Sequence, residues 1–308
     1  MKKEVKIGSR EFNIDSPHTY IMGILNITPD SFSDGGKYNG VDQALGHVEK
    51  MIEEGADIID VGGESTRPGY IKIGIEEEIN RVCDVVEAIK SRFDIPISID
   101  TYKREVAKAS LEAGADLIND IWGFRYSGNM AEIIGEYGVP AVIMHNDHMG
   151  RSLEEREDNL KKASENYQDN TSYNNKVLVS KYSEESKVVD RVIEGLNESI
   201  EIAIKAGIKK ENIIIDPGVG FAKTYRENLL VLNNLAAIRE KIKLPMLLGA
   251  SRKSVIGNAL NLPVEEREEG TISTSIIAAM AGCSFVRVHN VAANRRALDM
   301  YEAIRNVK

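Results

Sequence analysis

The sequence EGADIID, residues 54–60, is typical of a helix end followed by a short buried strand. A glycine there can take the left-handed conformation that ends a helix, and the apolar residues after it suit a strand. The same order of residues recurs in AGADLIN (113–119) and AGCSFVR (281–287), and more loosely around Gly138 and Gly207. A joint that repeats in this way indicates that one helix–strand unit recurs along the chain.

Eight short runs of apolar and β-branched residues alternate with amphipathic helical stretches, one of them over 226–241. Most runs are apolar on both faces, as expected for parallel strands covered by helices. The repeat predicts an α/β fold, a (β/α)8 TIM barrel, as a single domain over residues 1–308. A doubly wound open sheet is the alternative. The runs lie at 20–26, 57–61, 96–100, 116–119, 139–144, 212–216, 244–248 and 284–288.

One segment interrupts the repeat after the fifth strand. Residues 147–189 form an extended hydrophilic stretch rich in Asn, Ser, Glu and Lys, with little to bury. A capping box at Ser152 to Glu155 predicts a short helix within it. We predict a surface insertion here, and a lid over the site is the alternative.

The composition excludes several classes of protein. A net charge of -9, spread along the chain, argues against a nucleic-acid partner. No apolar run is long enough for a membrane helix, and the N-terminus lacks the apolar core of a signal peptide. Cys83 and Cys283 lie far apart in sequence and fit buried thiols in a reducing cytosol. We therefore predict a cytoplasmic protein with no membrane partner and no disulfide.

Polar side chains stand at the carboxyl ends of nearly all the predicted strands, where a barrel of this kind places its active site. Any one of them could cap a helix, but capping does not require an Arg, a Lys and a His. The set comprises Asn26, Asp60, Glu64, Asp100, Asn119, Met144 to Asn146, Asp216, Gly249 to Lys253, Arg287 and His289.

Four members of this set predict a pocket for a flat heterocycle. Asp100 and Asp216 can each accept two parallel N–H bonds from an amidine-like edge. Asn119 can donate and accept at once, and the ammonium of Lys253 can reach a carbonyl oxygen. A metal site built from the two carboxylates is the alternative, weakened by the cation in their midst.

Arg287 and His289 project from one face at the end of the last predicted strand, where these barrels often hold phosphate groups. With Ser251 they predict an anion site, and a structural Arg–carboxylate pair is the alternative. The Gly-rich runs at 216–223 and 249–254 lack the spacing of dinucleotide and Walker motifs, so we interpret them as tight loops.

With these residues assembled, the chain resembles the dihydropteroate synthase family of the folate pathway. The matching segments come in the family's order, span almost the whole chain and are very specific together. They are MGILNITPDSFSDGG (22–36), DVGGESTRPG (60–69), ISIDTYK (97–103), INDIWG (118–123), MHN (144–146), IIDPGVGFAKT (214–224), LLGASRKS (247–254) and RVHNV (287–291).

The resemblance implies a transferase that joins 6-hydroxymethyl-7,8-dihydropterin diphosphate to 4-aminobenzoate. The products would be 7,8-dihydropteroate and pyrophosphate. It also implies Mg²⁺ as cofactor, small molecules as the only substrates, and a homodimer with contacts from helices late in the chain. Sulfonamides, which mimic aminobenzoate, would compete at the site.

The resemblance further implies a role for each matching residue. Catalytic roles fall to Asp34, Arg67 and Lys253, the first two on loops expected to close over the site. The remaining roles are pterin binding by Asp100, Asn119, Met144, Asp216 and Lys253, diphosphate binding by Thr66, Arg287 and His289, aminobenzoate binding by Phe32, Pro68 and Ser254, and Mg²⁺ binding by Asn26.

Two departures from the family's pattern follow the fifth strand. Asp147 stands where many members have Arg, and the connection at 147–189 is longer than usual. The alternative functions are a methyltetrahydrofolate–corrinoid methyltransferase and an inactive pterin-binding homologue. The loop with Arg67 favours the synthase over the methyltransferase, and the intact Asp34 and Lys253 argue against an inactive homologue.

Overall fold

The computed structural model describes residues 4–27, 36–64, 72–146 and 187–307. In these ranges the strands are β1 (Glu4–Ile7), β2 (Arg10–Asn13), β3 (Tyr20–Asn26), β4 (Ile58–Gly62), β5 (Ile97–Asp100), β6 (Leu117–Asp120), β7 (Ala141–Met144), β8 (Ile213–Asp216), β9 (Leu247–Leu248) and β10 (Phe285–Val288). The helices are α1 (Gly36–Glu53), α2 (Ile75–Arg92), α3 (Arg104–Glu112), α4 (Met130–Tyr137), α5 (Val188–Lys205), α6 (Tyr225–Asn233), α7 (Leu235–Ile242), α8 (Ser254–Leu260), α9 (Glu268–Met280) and α10 (Val291–Arg305).

Strands β3 to β10 form the predicted (β/α)8 barrel. They pair in parallel in the order β8-β7-β6-β5-β4-β3-β10-β9. The two ends of this order meet at a parallel bridge between Ile215 and Met246, where the Ile215 N–H donates to the carbonyl of Pro245 at 2.9 Å. Because the circle closes, the open-sheet alternative is excluded.

The predicted helix–strand joints are confirmed in the backbone. Gly55 and Gly114 have φ angles of 95° and 106°, and the glycines at the other joints also have positive φ. A side chain would be strained in that region, so glycine is what allows each helix to end and turn into the next strand. A short sequence pattern thus sets the length of each unit of the barrel.

At the joints of Gly55 and Gly114, the aspartate two residues after the glycine ties the joint to the neighbouring strand. The Asp57 N–H donates to the carbonyl of Ile21 at 2.8 Å, and its carboxylate accepts the Ile21 N–H at 2.7 Å. Asp116 makes the same exchange with Ile97, both bonds at 2.9 Å. This reciprocal pair was not predicted, and it holds the amino ends of adjacent strands in register.

A hairpin that was not predicted closes the amino end of the barrel. Strands β1 and β2 pair antiparallel, and the buried Val5, Ile7 and Phe12 pack into the barrel interior against residues such as Met22 and Phe285. Apolar burial of this kind is the main driving force of folding. With the amino end filled, the open end is the carboxyl end, where the polar side chains lie.

One further difference concerns a connection between strands. The single helix expected over 226–241 is instead α6 and α7, which meet at Asn234, whose side-chain amide donates to the Leu230 carbonyl at 2.7 Å. The predicted insertion lies outside the described residues as far as residue 186, and α5 follows from Val188.

Within the described ranges, no helix is long and apolar enough to cross a membrane.

Candidate active site

The carboxyl ends of the barrel strands bring the predicted heterocycle-binding residues together. Asp100 ends β5, Asn119 lies in β6 and Asp216 ends β8, while Lys253 directly precedes α8. The three strand residues are buried, with 9% or less of each exposed. Arg287 of β10 reaches into the same space.

Arg287 lies between two carboxylates. Its Nε donates to Asp60 Oδ2 at 2.5 Å, and its Nη2 donates to Asp100 Oδ2 at 2.7 Å. Asn119 Nδ2 donates to the same Asp60 Oδ2 at 3.4 Å. The Arg–carboxylate pair, which was the alternative to a pure anion site, is therefore the arrangement in this structure. Asp60 was noted only as a polar strand end, and its contacts with Arg287 and Asn119 were not predicted.

Burial shifts the ionisation of these groups. It raises the pKa of Asp100 to about 7, an effect that Arg287 opposes and the nearby charge of Asp60 reinforces. Burial also raises the pKa of Asp216, chiefly against the attraction of Lys253. Near neutral pH, the Asp100 carboxyl can therefore either accept or donate a hydrogen bond.

Lys253 is held by backbone and by an aromatic ring. Its Nζ donates to the Val219 carbonyl at 2.6 Å and lies 4.5 Å from the centre of the Phe221 ring. Burial lowers its pKa to about 8, against the attraction of Asp216. Phe221 was not predicted as a site residue, although it lies in the matching segment 214–224 and its position there was the available signal.

A glycine keeps open the space between Asp216 and Lys253. A Cβ on Gly249 would lie 3.3 Å from Asp216 Oδ2 and 3.9 Å from Lys253 Nζ. The contact with the carboxylate would be tighter than nine in ten of those that real Cβ atoms make. The absence of a side chain therefore leaves both polar atoms accessible to a ligand.

The loop after β8 is tightly built, as predicted for this Gly-rich run. The Gly218 N–H donates to Asp216 Oδ1 at 2.7 Å, and the buried Lys223 donates from Nζ to the Gly218 carbonyl at 2.9 Å. The Gly220 N–H donates to Asn228 Oδ1 at 2.6 Å. These bonds fix the loop that supplies the Val219 carbonyl and the Phe221 ring.

An apolar wall borders the polar pocket. Met144, which the resemblance placed near the pterin ring, is buried in one cluster with Tyr102, Ile121 and Trp122. Phe221 packs against the same cluster. A flat ring that presents its edge to the carboxylates could rest its face on such a wall.

The remaining described site residues lie around the rim. Ser251 Oγ is 2.9 Å from His289 Nδ1, so the two members of the predicted anion site other than Arg287 are in contact. Asn26 is exposed at the end of β3, and a Cβ on Gly62 would be 3.7 Å from its Oδ1. Ser254 is exposed at the start of α8.

Several predicted site residues lie outside the described residues. They belong to segments 28–35 and 65–71, and they are Phe32, Asp34, Thr66, Arg67 and Pro68. Their roles stay predictions.

A buried ion network that was not predicted lies where the described chain resumes after residue 71. Lys103 Nζ donates to Glu64 Oε2 at 2.7 Å, to Glu78 Oε2 at 2.5 Å and to the Ile73 carbonyl at 2.9 Å. The Ile73 N–H donates to Glu64 Oε2 at 3.0 Å. One ammonium thus joins the chain on both sides of segment 65–71 to α2.

Comparison with known proteins agrees with this geometry. The family model described as pterin binding enzyme matches residues 22–289, which include most of β3, all of β4 to β10 and the described pocket residues. The chain belongs to the pterin-binding enzyme family.

Within that family its relatives are dihydropteroate synthases. The enzyme of Clostridium beijerinckii (strain ATCC 51743 / NCIMB 8052) is 53% identical over 301 residues, 97% of this chain and 99% of the relative. The structure of the Xanthomonas albilineans enzyme with 4-aminobenzoic acid has a TM-score of 0.82 and 35% identity, over 100% of both chains. The same enzyme in complex with 7,8-dihydropteroate has a TM-score of 0.79 and 33% identity, over 99% and 100%. The resemblance, and with it the predicted transferase class, is confirmed.

Proposed function

We propose that this chain condenses 6-hydroxymethyl-7,8-dihydropterin diphosphate with 4-aminobenzoate to give 7,8-dihydropteroate and pyrophosphate. One observation carries the proposal. Asp100, Asn119, Asp216 and Lys253 converge on one space in a pterin-binding enzyme, with the guanidinium of Arg287 beside them. This set can read a pterin edge and attract an anionic leaving group.

The pterin edge supplies donors and a carbonyl that fit the pocket. Asp216 accepts N–H bonds from the aminopyrimidine edge through the space that Gly249 leaves open. Lys253 donates to the pterin carbonyl. Met144 packs against a face of the ring. A heterocycle without this donor edge would leave the buried carboxylates without partners, which is the basis of selectivity.

The reaction exchanges one bond for another at the methylene carbon of the pterin. The aminobenzoate nitrogen bonds to this carbon, the carbon–oxygen bond breaks, and the diphosphate leaves with the electron pair. The nitrogen then loses a proton to solvent. An arylamine is neutral at pH 7 and needs no strong base. The guanidinium of Arg287 and the imidazole of His289, acting as hydrogen-bond donors to the leaving diphosphate, supply electrostatic stabilisation.

For aminobenzoate, the described part of the pocket offers Phe221, Lys253 and Ser254. The Phe221 ring lies beside Lys253 Nζ, so it can pack on the benzoate ring while the ammonium attracts the carboxylate. Phe32 and Pro68 would complete this subsite, as the resemblance implies. Sulfonamides would occupy the same place.

Mg²⁺ fits the rim of the pocket as a partner of the diphosphate. Asn26 presents an exposed amide at the end of β3, and a neutral oxygen is a ligand that Mg²⁺ accepts. The described residues contain no cluster of three His, Cys, Asp or Glu able to hold a metal ion. An ion bound there would therefore take most of its ligands from phosphate and water, as Mg²⁺ commonly does. It would supply charge neutralisation of the leaving group.

A homodimer would cover an exposed apolar face formed by α9 and α10. Ile277, Met280, Met300 and Ile304 are exposed there, Met280 to 68%. Apolar side chains grouped on two adjacent helices mark an interaction surface. Light scattering tests this with Met280→Lys, which should yield monomers. Ile204→Lys, at an exposed apolar residue of α5, is the control and should leave the dimer intact. A single domain and a cytoplasmic location stay predictions.

A direct assay tests the proposed reaction. Purified protein is incubated with the dihydropterin diphosphate, labelled 4-aminobenzoate and Mg²⁺, and labelled dihydropteroate is measured. Asp216→Ala should lose pterin binding and product. If the wild-type protein binds pterin but forms no product, the synthase proposal fails in favour of an inactive homologue. Methyl transfer from methyltetrahydrofolate to a corrinoid would favour the methyltransferase.

A further inference from the structure

Among the described residues of the pocket, Asp60 is the most completely buried carboxylate, with 0% of its surface exposed. Its Oδ2 accepts hydrogen bonds from two side chains, Arg287 Nε at 2.5 Å and Asn119 Nδ2 at 3.4 Å. Its Oδ1 makes no hydrogen bond to any described residue. A buried carboxylate is costly in free energy, so its partners explain why the fold keeps it.

The partners of Asp60 belong to different parts of the proposed substrate site. Asn119 is proposed to bind the pterin, and Arg287 the diphosphate. One oxygen atom therefore joins the residue for the ring to the residue for the leaving group. Because guanidinium is planar and rigid, fixing one of its edges fixes the direction of the whole group.

The orientation of Arg287 determines which of its N–H groups can bind an anion, because one edge of the guanidinium already faces the two carboxylates. Nε and Nη2 of Arg287 share one edge, and they donate to Asp60 and Asp100 respectively. Nη1 lies on the opposite side of Nη2 and makes no hydrogen bond to the described residues. The two carboxylates thus hold Arg287 so that its other edge, formed by Nη1 and the second N–H of Nη2, is available to a phosphate oxygen.

We propose that Asp60 is a positioning residue that orients Arg287 toward the diphosphate and keeps it in register with Asn119. The inference rests on the proposed function, because it assigns the anion at Arg287 to the substrate diphosphate. Asp60 itself does not touch substrate. Its effect should therefore appear in how strongly diphosphate binding adds to pterin binding.

The first test separates the two parts of the ligand by direct binding. Inorganic pyrophosphate and 6-hydroxymethyl-7,8-dihydropterin serve as probes, followed by fluorescence of Trp122, the chain's single tryptophan, which is 4% exposed in the wall of the pocket. Asp60→Asn should weaken pyrophosphate binding about tenfold, because a guanidinium that is no longer held in place loses one charge-assisted hydrogen bond to the anion, and this loss exceeds the relief of repulsion from the Asp60 charge. Binding of the pterin should weaken less, about twofold, because the Asn119 contact is long. Equal losses for the two probes, or none for either, would overturn the proposal.

The second test asks whether Asp60 acts through Arg287. In an Arg287→Met background, Asp60→Asn should cause no further loss of pyrophosphate binding, since the group that it orients is gone. Additive losses would show that Asp60 acts by another route.

A pH profile distinguishes positioning from a general structural effect. The acid limb of pterin binding should follow Asp100, whose surroundings are Arg287, Asp60, Glu78 and Lys253. The charge of Asp60 raises the pKa of Asp100, so Asp60→Asn should move the acid limb to lower pH. If Asp60→Asn leaves the acid limb of pterin binding at the same pH, the proposed placement of the Asp60 charge beside Arg287 and Asp100 is contradicted.

Asp57→Asn is the matched control for these measurements. Asp57 directly precedes β4, at the amino end of the barrel, where its carboxylate accepts the Ile21 N–H. The substitution should lower the melting temperature and leave both probe affinities unchanged. Neither binding measurement requires turnover. If the wild-type protein binds both probes but forms no dihydropteroate, the proposed function fails while the role of Asp60 is still decided.

Discussion

Replacing Lys253 with methionine should remove pterin binding and yet make the free protein more stable. Burial lowers the pKa of this lysine from 10.5 to about 8. At about 1.4 kcal/mol per pKa unit, keeping it charged at pH 7 costs roughly 3 kcal/mol. Part of the side chain reaches solvent, so we take about 2 kcal/mol as the effective cost. Methionine fills a similar volume without the charge.

The hydrogen bond to Val219 reduces this gain. Its loss costs about 1 kcal/mol, the ordinary net contribution of such a bond. The net stabilisation of Lys253→Met at pH 7 is then about 1 kcal/mol. For a protein somewhat larger than 250 residues, this corresponds to a rise in melting temperature of about 2 °C. Stability and pterin binding should therefore change in opposite directions.

The pH dependence gives the sharper result. The lysine pKa is lower in the folded than in the unfolded state, so the unfolded state binds more protons between pH 8 and 10.5. The cost is fully present below pH 8 and disappears as the pH rises to 10.5. Between pH 8 and 10.5, the free energy of unfolding of the wild-type protein should therefore rise relative to that of Lys253→Met. Above it, the wild-type protein should be the more stable, because the neutral amine still donates to Val219.

Calorimetry without ligands, at pH 7 and pH 10, measures both effects. Lys205→Met, at a lysine whose side chain is 80% exposed, is the control and should change stability by less than about 0.5 kcal/mol. Pterin should raise the melting temperature of the wild-type protein but not that of Lys253→Met. A lower melting temperature for Lys253→Met at pH 7, or a difference that is the same at both pH values, would refute the reasoning.

Three further results are expected. Lys103→Met should lower the free energy of unfolding by about 3–5 kcal/mol in a denaturant titration, because it leaves Glu64 and Glu78 buried without their cation. Phe221→Ala should raise the KM for 4-aminobenzoate about tenfold in steady-state kinetics, because it removes the ring beside Lys253. Chelation of divalent cations should abolish turnover and leave binding of a pterin without diphosphate intact, as fluorescence would show.

Matched measurements decide these three cases. Adding Glu64→Gln and Glu78→Gln to Lys103→Met should recover much of the lost stability, whereas Lys50→Met, in an exposed pair, should have little effect. Phe221→Leu should lie between wild type and Phe221→Ala. Full turnover in the presence of chelator would contradict the requirement for a divalent cation. Recovery of turnover on addition of Mg²⁺ alone would support it.

The barrel was predictable because its signal is local and repeated. Gly55 and Gly114 end helices by backbone conformation, which a single sequence reveals. The hairpin of β1 and β2 has a weaker signal, since each strand has only four residues. The alternation of apolar Val5 and Ile7 with charged residues is visible in the sequence. That these two residues fill the amino end of the barrel follows only from the closed barrel against which they pack.

The sequence was enough to predict which residues form the site, but not which of them contact one another. Asp100, Asn119 and Asp216 come together because parallel strand ends share one rim, which follows from the fold alone. The partners of Arg287 depend on distances across the barrel between β10, β4 and β5, and no local pattern encodes these distances. Phe221 was missed for a similar reason, since only the folded loop places its ring beside Lys253.

The charges of the pocket explain why a diphosphate substrate would need more than Arg287 there. Asp60 and Asp100 hold their carboxylates against Arg287, and Asp216 lies near the ammonium groups of Lys253 and Lys223. The carboxylates suit the donor edge of a pterin, but they repel a diphosphate. Two of them also occupy one edge of Arg287, which leaves the edge formed by Nη1 and Nη2 as its available donors. A divalent cation that takes most of its ligands from the diphosphate offsets this repulsion without an acidic cluster of its own. Carboxylate recognition of the ring thus creates the requirement for a cation at the leaving group.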